Sequence, residues 1–289
     1  MIAKKIGDTL YRRAYGRVRN GAQLAELARD PHPVGQRLSD AVAAVLANSF
    51  EPAERAAFDR VEELRASLQA SRDEIGVLDY GAGESTETRS AEEMARGRSV
   101  TTTVGAICRN ASKPPRWARL LFSIVREVKP QRCVELGTSL GLSAAYQASA
   151  LQLNGSGRLD TLEGAPEVAE RARAHLAGLS LPAEVTTGRF QDTLPPLLEH
   201  GSPIDYAFVD GHHDHDATLA YFEQLMPWLN DDAILVFDDV AWSPGMAAAW
   251  RRIREDERVG VAVDLFKVGV CAVRTTGGGG HPTYRIALD

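Results

Sequence analysis

The sequence has few cysteines and no long apolar stretch. Its three cysteines, Cys108, Cys133 and Cys271, show no CxxC or similar metal-binding spacing, and an odd number does not suggest a disulfide framework. This cysteine usage is typical of a reducing compartment, so we expect a cytoplasmic protein. The first residues lack the apolar centre of a signal peptide, and no later run is long enough to span a bilayer, so we expect no membrane association.

The chain also lacks an excess of positive charge. Its formal net charge is −6 at pH 7, whereas nucleic-acid binding draws much of its affinity from basic surface that neutralises phosphates. We therefore expect no nucleic-acid partner. The hydrophobic fraction of 44% and the charged fraction of 25% are those of an ordinary globular protein. With 289 residues, one main domain with a sizeable appendage is expected.

The amino-terminal part of the chain has helical patterning. Up to about residue 75, apolar residues recur at helical spacing, for example between Leu38 and Leu46. Residues 80–103 are rich in Gly, Ser, Thr, Glu and Arg without apolar periodicity, which predicts a long loop or lid. We therefore expect an N-terminal helical region over residues 1–112 and a second domain over residues 113–289.

The second domain alternates between helical and strand patterns, which predicts βαβ units and a parallel sheet. Predicted helices cover residues 117–128, 143–151, 166–176, 194–198, 217–229 and 246–254. Predicted strands cover residues 133–136, 159–163, 183–187, 205–209, 233–237, 261–266 and 270–274, with a final strand at 284–287. The strands at 261–266 and 270–274 are too close for a crossover helix, so they should pair antiparallel.

A candidate cofactor loop lies at residues 134–141, Val-Glu-Leu-Gly-Thr-Ser-Leu-Gly, between a strand and a helix. Glycines there let the backbone turn sharply and approach a ligand. Glu163 ends the next strand, where a carboxylate can accept both hydroxyls of a ribose. The alternatives are a purely structural turn and a dinucleotide site, but the GxGxxG spacing is absent, which favours a ligand without a pyrophosphate.

A second acidic, glycine-rich segment at residues 78–83, Leu-Asp-Tyr-Gly-Ala-Gly, imitates that loop. No amphipathic helix follows it directly, and no second strand with a terminal carboxylate comes after it. We interpret it as a turn within the N-terminal region.

Three carboxylates follow the fourth and fifth predicted strands of the second domain. Asp210 ends one strand, and Asp238 and Asp239 end the next. The carboxyl ends of adjacent parallel strands face the same crevice, so these side chains should converge. Clustered carboxylates repel one another unless a cation lies between them, and oxygen ligands suit Mg²⁺ or a similar hard cation.

Taken together, these motifs resemble class I S-adenosylmethionine (SAM)-dependent methyltransferases of the catechol and caffeoyl-CoA O-methyltransferase-like group, over about residues 113–274. The resemblance implies a Rossmann-like, mostly parallel sheet of seven strands in the order 3-2-1-4-5-7-6. It also implies SAM contacts from Glu135 and Gly137 at the methionine end, Ser143 near the carboxylate, Glu163 at the ribose, Gln191 at the adenine, and Asp210.

In the resembled group the metal ligands are Asp and then Asp-Asn, which here correspond to Asp210, Asp238 and Asp239. The chain therefore has an aspartate where the group has its asparagine. An extra negative charge would bind a cation well but polarise a hydroxyl less. A metal-free site, in which some of these aspartates bind SAM, backbone or substrate, is the alternative to a magnesium site.

Three residues after Asp210, the resembled group has a lysine that deprotonates the substrate, and this chain has His213. An imidazole with an unperturbed pKa near 6.5 can accept a proton at neutral pH, so His213 and Asp210 are the predicted catalytic residues. His212 is the rival base. Two histidines without a role, or two ligands of a softer cation such as zinc, are further alternatives.

The sequence thus predicts a SAM-dependent O-methyltransferase (EC 2.1.1.-) for a small-molecule hydroxyl, assisted by a divalent metal and a histidine base. A metal-independent methyltransferase and a non-catalytic SAM-binding protein are the alternatives. The acceptor can be a natural-product phenol, a catechol or a sugar hydroxyl. A homodimer is a possible assembly of the chain. Trp242, Met246 and Trp250 could line an apolar acceptor pocket or belong to the core.

Overall fold

The computed structural model describes residues 2–80, 90–201, 203–274 and 281–288. Its helices are α1 (Ile2–Leu27), α2 (Gly35–Ala47), α3 (Pro52–Ala70), α4 (Ala91–Arg96), α5 (Val104–Ala111), α6 (Pro115–Val128), α7 (Leu142–Asn154), α8 (Pro166–Gly178), α9 (Phe190–Glu199), α10 (His215–Leu225) and α11 (Pro244–Arg254). Its strands are β1 (Glu74–Asp79), β2 (Arg98–Thr103), β3 (Arg132–Leu136), β4 (Arg158–Glu163), β5 (Ala183–Thr187), β6 (Ile204–Val209), β7 (Leu229–Phe237), β8 (Val259–Asp264), β9 (Gly269–Val273) and β10 (Thr283–Arg285). Among the described helices, none is both long and apolar enough to cross a membrane.

The main sheet has eight strands in the order β10-β8-β9-β7-β6-β3-β4-β5. Strands β3 to β7 run parallel, and β9 pairs antiparallel with both β7 and β8, as the short connection between β8 and β9 predicts. Counted from β3, the first seven strands follow the order 3-2-1-4-5-7-6. The seven strands that the resemblance implies are joined by β10, which corresponds to the final strand predicted at residues 284–287 and adds an eighth strand at the edge, parallel to β8.

The sheet is buried on both faces. Every residue of β3, β8 and β9 is buried, as expected for strands covered by helices on either side. Along β3, Cys133 packs into the core shared with α6 and α7, whereas Val134 and Leu136 pack into the opposite core with α9 and α10. Successive side chains of a strand point to opposite faces, so each strand is packed from both sides. This packing holds the ends of the strands in fixed positions.

The first three helices share the core of the sheet. Phe58 of α3 contacts the rings of Phe122 in α6 and Tyr146 in α7, with centroid distances of 4.7 and 5.5 Å. Helix α2 also packs against α6. The division of the chain at residue 113 stays a prediction, and α2 and α3 pack across it.

Helix α1 lies along the edge strand and bonds its backbone. Gln23 Oε1 accepts from the amide of Arg285 at 2.8 Å. The Asn20 side chain accepts from the amide of Ala287 and donates to its carbonyl, at 2.9 and 2.8 Å. The intervening amide, of Ile286, donates to β8 instead. Side chains of α1 therefore form hydrogen bonds with backbone groups of β10 and of the residues after it that face away from β8.

The prediction of a long loop or lid over residues 80–103 is wrong for part of that range. Residues 91–103 form α4 and β2, and β2 pairs antiparallel with β1 over the register Glu74↔Thr103 to Asp79↔Arg98. This ribbon is held by backbone hydrogen bonds, and most of β2 is exposed, so its side chains needed no apolar periodicity. Leu78 and Asp79 of the imitating motif belong to β1, while residues 81–83 lie outside the described part of the chain.

Candidate active site

Four strands end side by side at one edge of the main sheet. The Asp210 amide, after β6, donates to Leu136 O at the end of β3, at 2.9 Å. The Asp238 amide donates to Val209 O at 3.0 Å, and the Gly137 amide to Leu162 O of β4 at 3.0 Å. This is the crevice where open parallel sheets bind their ligands, as the sequence predicts.

Gly137 has a positive φ of +104°. A Cβ at this position would lie 2.1 Å from the carbonyl oxygen of Asp210. The sequence attributes this glycine to the approach of a ligand, and the structure adds a second reason, the neighbouring strand end. The glycine loop and Asp210 are therefore packed directly against each other.

Glu163 ends β4 with its carboxylate turned toward the glycine loop. It accepts from the amide of Ser139 at 2.8 Å and from the amide of Ala165 at 2.9 Å. Burial raises the pKa of this carboxyl group, and the backbone hydrogen bonds oppose that rise. The carboxylate is thus held in place at the edge where the predicted ribose would lie, and its contact with a ribose stays a prediction.

Glu135 is fully buried below the glycine loop. Its carboxylate accepts from Gln147 Nε2 at 2.7 Å and from Thr161 Oγ1 at 2.6 Å, and the Ser143 hydroxyl also bonds it. Burial raises the pKa of Glu135 to about 7. Thr161 lies 2.6 Å from the hydroxyl of Thr138 in the loop, so Glu135 and Ser143 support the loop from within. Their predicted contacts with SAM stay predictions.

Gln191 lies in the first turn of α9 and is exposed. The preceding glycine, Gly188, donates its amide to Glu163 O at 2.9 Å, which brings this turn next to the end of β4. The predicted contact of Gln191 with adenine is untested.

The carboxylates after β6 and β7 converge, as predicted, but an ammonium group lies between them. Lys113 forms an ion pair with Asp238, and its Nζ lies 3.4 Å from Asp210 Oδ2. The Asp238 side chain is 3% exposed and that of Lys113 is 12% exposed. The same Nζ lies 5.9 Å from the centre of the ring of Phe208, which is in β6 two residues before Asp210.

The magnesium site predicted from Asp210, Asp238 and Asp239 is not formed by this arrangement. Within the described residues, no three His, Cys, Asp or Glu side chains are grouped so that they could hold a metal ion. The cation that the clustered carboxylates require is the ammonium of Lys113. The side-chain set therefore does not fit a divalent metal in this conformation.

His213 reaches the acidic cluster. Its Nε2 lies 3.9 Å from Asp210 Oδ1, and its Nδ1 lies 3.8 Å from Asp239 Oδ2. Its ring is half-buried, 6.1 Å from the ring of Trp242, which is an exposed aromatic side chain. Both His213 and Asp239 have positive φ, +49° each, so the backbone itself turns these side chains into the crevice.

His212, the rival base, points away from the cluster. Its Nδ1 lies 2.5 Å from the hydroxyl of Tyr221, and its ring packs edge-on against Phe190 at 5.4 Å. The structure thus separates two adjacent histidines, one packed against α9 and α10 and one in the crevice. The zinc alternative, which needs both, is not supported by this geometry.

Trp242, Met246 and Trp250, which could line an acceptor pocket, also lie in different surroundings. Trp250 and Met246 are buried, and the Trp250 ring lies 6.1 Å from that of Phe237. They belong to the core, whereas Trp242 beside His213 is exposed. Only Trp242 of the three is placed to meet an acceptor.

The sequence motifs assign no site role to Lys113, and residue 113 is only the expected first residue of the second domain. One signal could have found it: the chain has five lysines against twenty-eight arginines. A rare lysine before Pro114 and Pro115 could have been taken as a candidate site residue.

Comparisons with known proteins find similarity to methyltransferases. Residues 134–240 match the family model described as Methyltransferase domain. The chain is 33% identical over 132 residues to Catechol O-methyltransferase of Niastella koreensis, covering 45% of this chain and 58% of that protein. It is 31% identical over 130 residues to Catechol O-methyltransferase B of Danio rerio, covering 41% and 47%. The chain thus spans about half the length of the curated relatives it matches.

The fold is similar to a solved structure. The crystal structure of cofactor-bound Rv0187 from MTB has a TM-score of 0.52 and 23% identity to this chain, and the match covers 58% of this chain and 84% of that one. At this identity the likeness shows the fold, which is the Rossmann-like α/β architecture predicted from the sequence.

Proposed function

We propose that this chain, whose residues 134–240 match a family model described as Methyltransferase domain, is a class I SAM-dependent enzyme that transfers the methyl group of SAM to a hydroxyl of a small molecule. One observation carries the proposal. Asp210 touches the glycine loop through its backbone and the Lys113 and His213 side chains through its carboxylate. A methyl donor at the loop and an acceptor at His213 would therefore be neighbours.

The cofactor side of the site fits SAM. The loop from Gly137 to Gly141 leads into α7, and the carboxylate of Glu163 lies beside it, where charge-assisted hydrogen bonds to ribose hydroxyls are available. We propose that Glu163 holds the ribose, Gln191 the adenine, and the loop the methionine part. The O-methyltransferase names of the relatives support methyl transfer to an oxygen.

The acceptor side of the site supplies a base. The acceptor hydroxyl gives its proton to the imidazole of His213, and its oxygen attacks the methyl carbon in line with the C–S bond. That bond breaks, and its electron pair leaves with sulfur as a neutral thioether. Asp210 and Asp239, one near each imidazole nitrogen, stabilise the imidazolium that forms.

The reaction in this proposal is the metal-independent form. The sulfonium already activates the methyl group, so the protein needs mainly to align the two reactants and remove one proton. The names of the relatives favour a phenol or catechol-like acceptor over a sugar. An exposed aromatic ring, Trp242, next to the base supports the same preference.

The experiment that tests the proposal is a screen of phenols, catechols and sugars with SAM, read by mass spectrometry for an acceptor 14 mass units heavier and for S-adenosylhomocysteine. We expect turnover with the wild-type protein and with His215→Ala, which changes a partly exposed histidine paired with Asp216. SAM binding without turnover of any acceptor would instead favour a non-catalytic SAM-binding protein.

A further inference from the structure

We propose that Lys113 is the fixed cation of the acceptor site and holds the acceptor oxygen where the resembled enzymes use a divalent metal. The inference rests on the proposed function and assigns a substrate-contacting role to a residue outside the matched methyltransferase domain. Lys113 lies between α5 and α6, ahead of residues 134–240.

Asp238 is almost fully buried and Asp210 is largely buried, and two such carboxylates are destabilised unless a cation is paired with them. The ammonium of Lys113 is that cation. A metal ion at the same place would have to displace the ammonium from Asp238.

An ammonium group has three N–H donors and no acceptor. Lys113 forms ion pairs with Asp238 and Asp210, and both carboxylates stand at the strand ends that border the crevice. Two carboxylates do not exhaust three donors, so one donor can bond the acceptor oxygen near Asp210, whose carboxylate also lies 3.9 Å from the Nε2 of His213.

The position of Lys113 is restricted at both ends of the residue. Pro114 follows Lys113, and α6 begins at Pro115, with Pro114 at φ −58° and ψ 148°. A residue before proline is restricted to extended backbone. The lysine is therefore anchored at its backbone by the two prolines and at its ammonium by two carboxylates, which suits a group that must meet a developing charge.

In the reaction, the acceptor oxygen loses its proton to His213 and becomes negative as it attacks the methyl group. Lys113 keeps its own protons and donates one hydrogen bond to that oxygen. The C–S bond of SAM breaks as the O–C bond forms, so the step needs no further reactant.

The experiment compares wild type with Lys113→Met, Lys113→Ala and the control Lys129→Met, which changes an exposed lysine at the end of α6. Removing one donor to a developing oxyanion lowers turnover by about 10²- to 10³-fold, so we expect that loss of kcat in Lys113→Met, with SAM affinity within about twofold of wild type. The control should keep its rate.

Two further measurements separate this role from a merely structural one. Ethylammonium chloride should restore part of the kcat of Lys113→Ala in a saturable manner and leave wild type unchanged. Wild type should keep full activity in EDTA, gain nothing from Mg²⁺, and show no protein-bound Mn²⁺ by electron paramagnetic resonance, a measurement that needs no acceptor.

Loss of wild-type activity in EDTA with recovery in Mg²⁺, or one Mn²⁺ bound to wild type and lost in Asp238→Asn, would overturn the role of Lys113 and leave methyl transfer standing. Full kcat in Lys113→Met would overturn it as well. Failure of the proposed function looks different, because then no acceptor is methylated by any variant, including wild type.

Discussion

Gly137 and Asp210 are in direct backbone contact, so close that a Cβ on the glycine would lie 2.1 Å from the aspartate's carbonyl oxygen. This contact joins the loop that would bind the methyl donor to the residue that contacts the acceptor side. The position of the cofactor side of the site relative to the acceptor side is therefore fixed by backbone atoms.

The first prediction concerns this contact. Gly137→Ala combines a positive φ with a steric clash, and we expect it to lower the free energy of unfolding by about 2–4 kcal/mol. Gly155→Ala is the matched control, because Gly155 also has a positive φ, +72°, but open space around its Cβ position. It should lose only about 1–2 kcal/mol in urea denaturation. Equal losses would mean that the contact with Asp210 adds nothing.

The second prediction concerns the cofactor. Glu163→Ala removes a carboxylate that would make charge-assisted hydrogen bonds to ribose, so SAM affinity should fall by about 10- to 100-fold in calorimetry. Glu170→Ala, an exposed carboxylate of α8 paired with Arg173, should leave the affinity unchanged. An unchanged affinity in Glu163→Ala would contradict the assignment of Glu163 to the ribose.

The third prediction separates the two adjacent histidines. His213→Ala should lower kcat by about 10²- to 10⁴-fold at nearly constant SAM affinity, because it removes the base. His212→Ala should keep most of the rate but lower the free energy of unfolding by about 1–3 kcal/mol, because it leaves the buried hydroxyl of Tyr221 without this partner. The reverse pattern, a slow but stable His212→Ala, would exchange their roles. An acceptor of high pKa is required, since an acceptor that is already ionised needs no base.

The fourth prediction concerns the pH dependence of stability. Burial raises the pKa of Glu135 from 4.5 to about 7, so between these two values the folded state holds a proton that the unfolded state releases. The contribution of Glu135 to the free energy of unfolding is therefore greatest below pH 4.5 and falls as pH rises to 7, by about 3 kcal/mol in all. Urea denaturation at several pH values should show this fall in wild type relative to Glu135→Gln. Parallel pH profiles of the two proteins would show that Glu135 titrates normally.

Much of the sheet could be predicted because its strands are short apolar runs separated by amphipathic helices. The convergence of Asp210 and Asp238 could also be predicted, since parallel strands end at one edge whatever their register. The ribbon of β1 and β2 could not, because it is held by backbone bonds and its largely exposed side chains carry no apolar pattern.

The arrangement of the site depends on contacts that the sequence does not encode locally. Lys113 meets Asp238 only because the fold brings the segment before α6 next to the end of β7, and nothing near either residue in sequence indicates the pair. His212 and His213 are chemically identical neighbours, and positive φ values at both, +62° and +49°, direct them to different surroundings. Their separation is a property of the folded backbone.

The hydrogen bonds between α1 and the backbone of the edge strand affect the tendency of the chain to aggregate at high concentration. An edge strand with unpaired amides and carbonyls is a template on which a strand of another molecule can add. Here Gln23 and Asn20 already bond the outward backbone groups of Arg285 and Ala287. Helix α1 thus protects the sheet from edge-to-edge aggregation, and a chain shortened by this helix would expose a site for intermolecular strand addition.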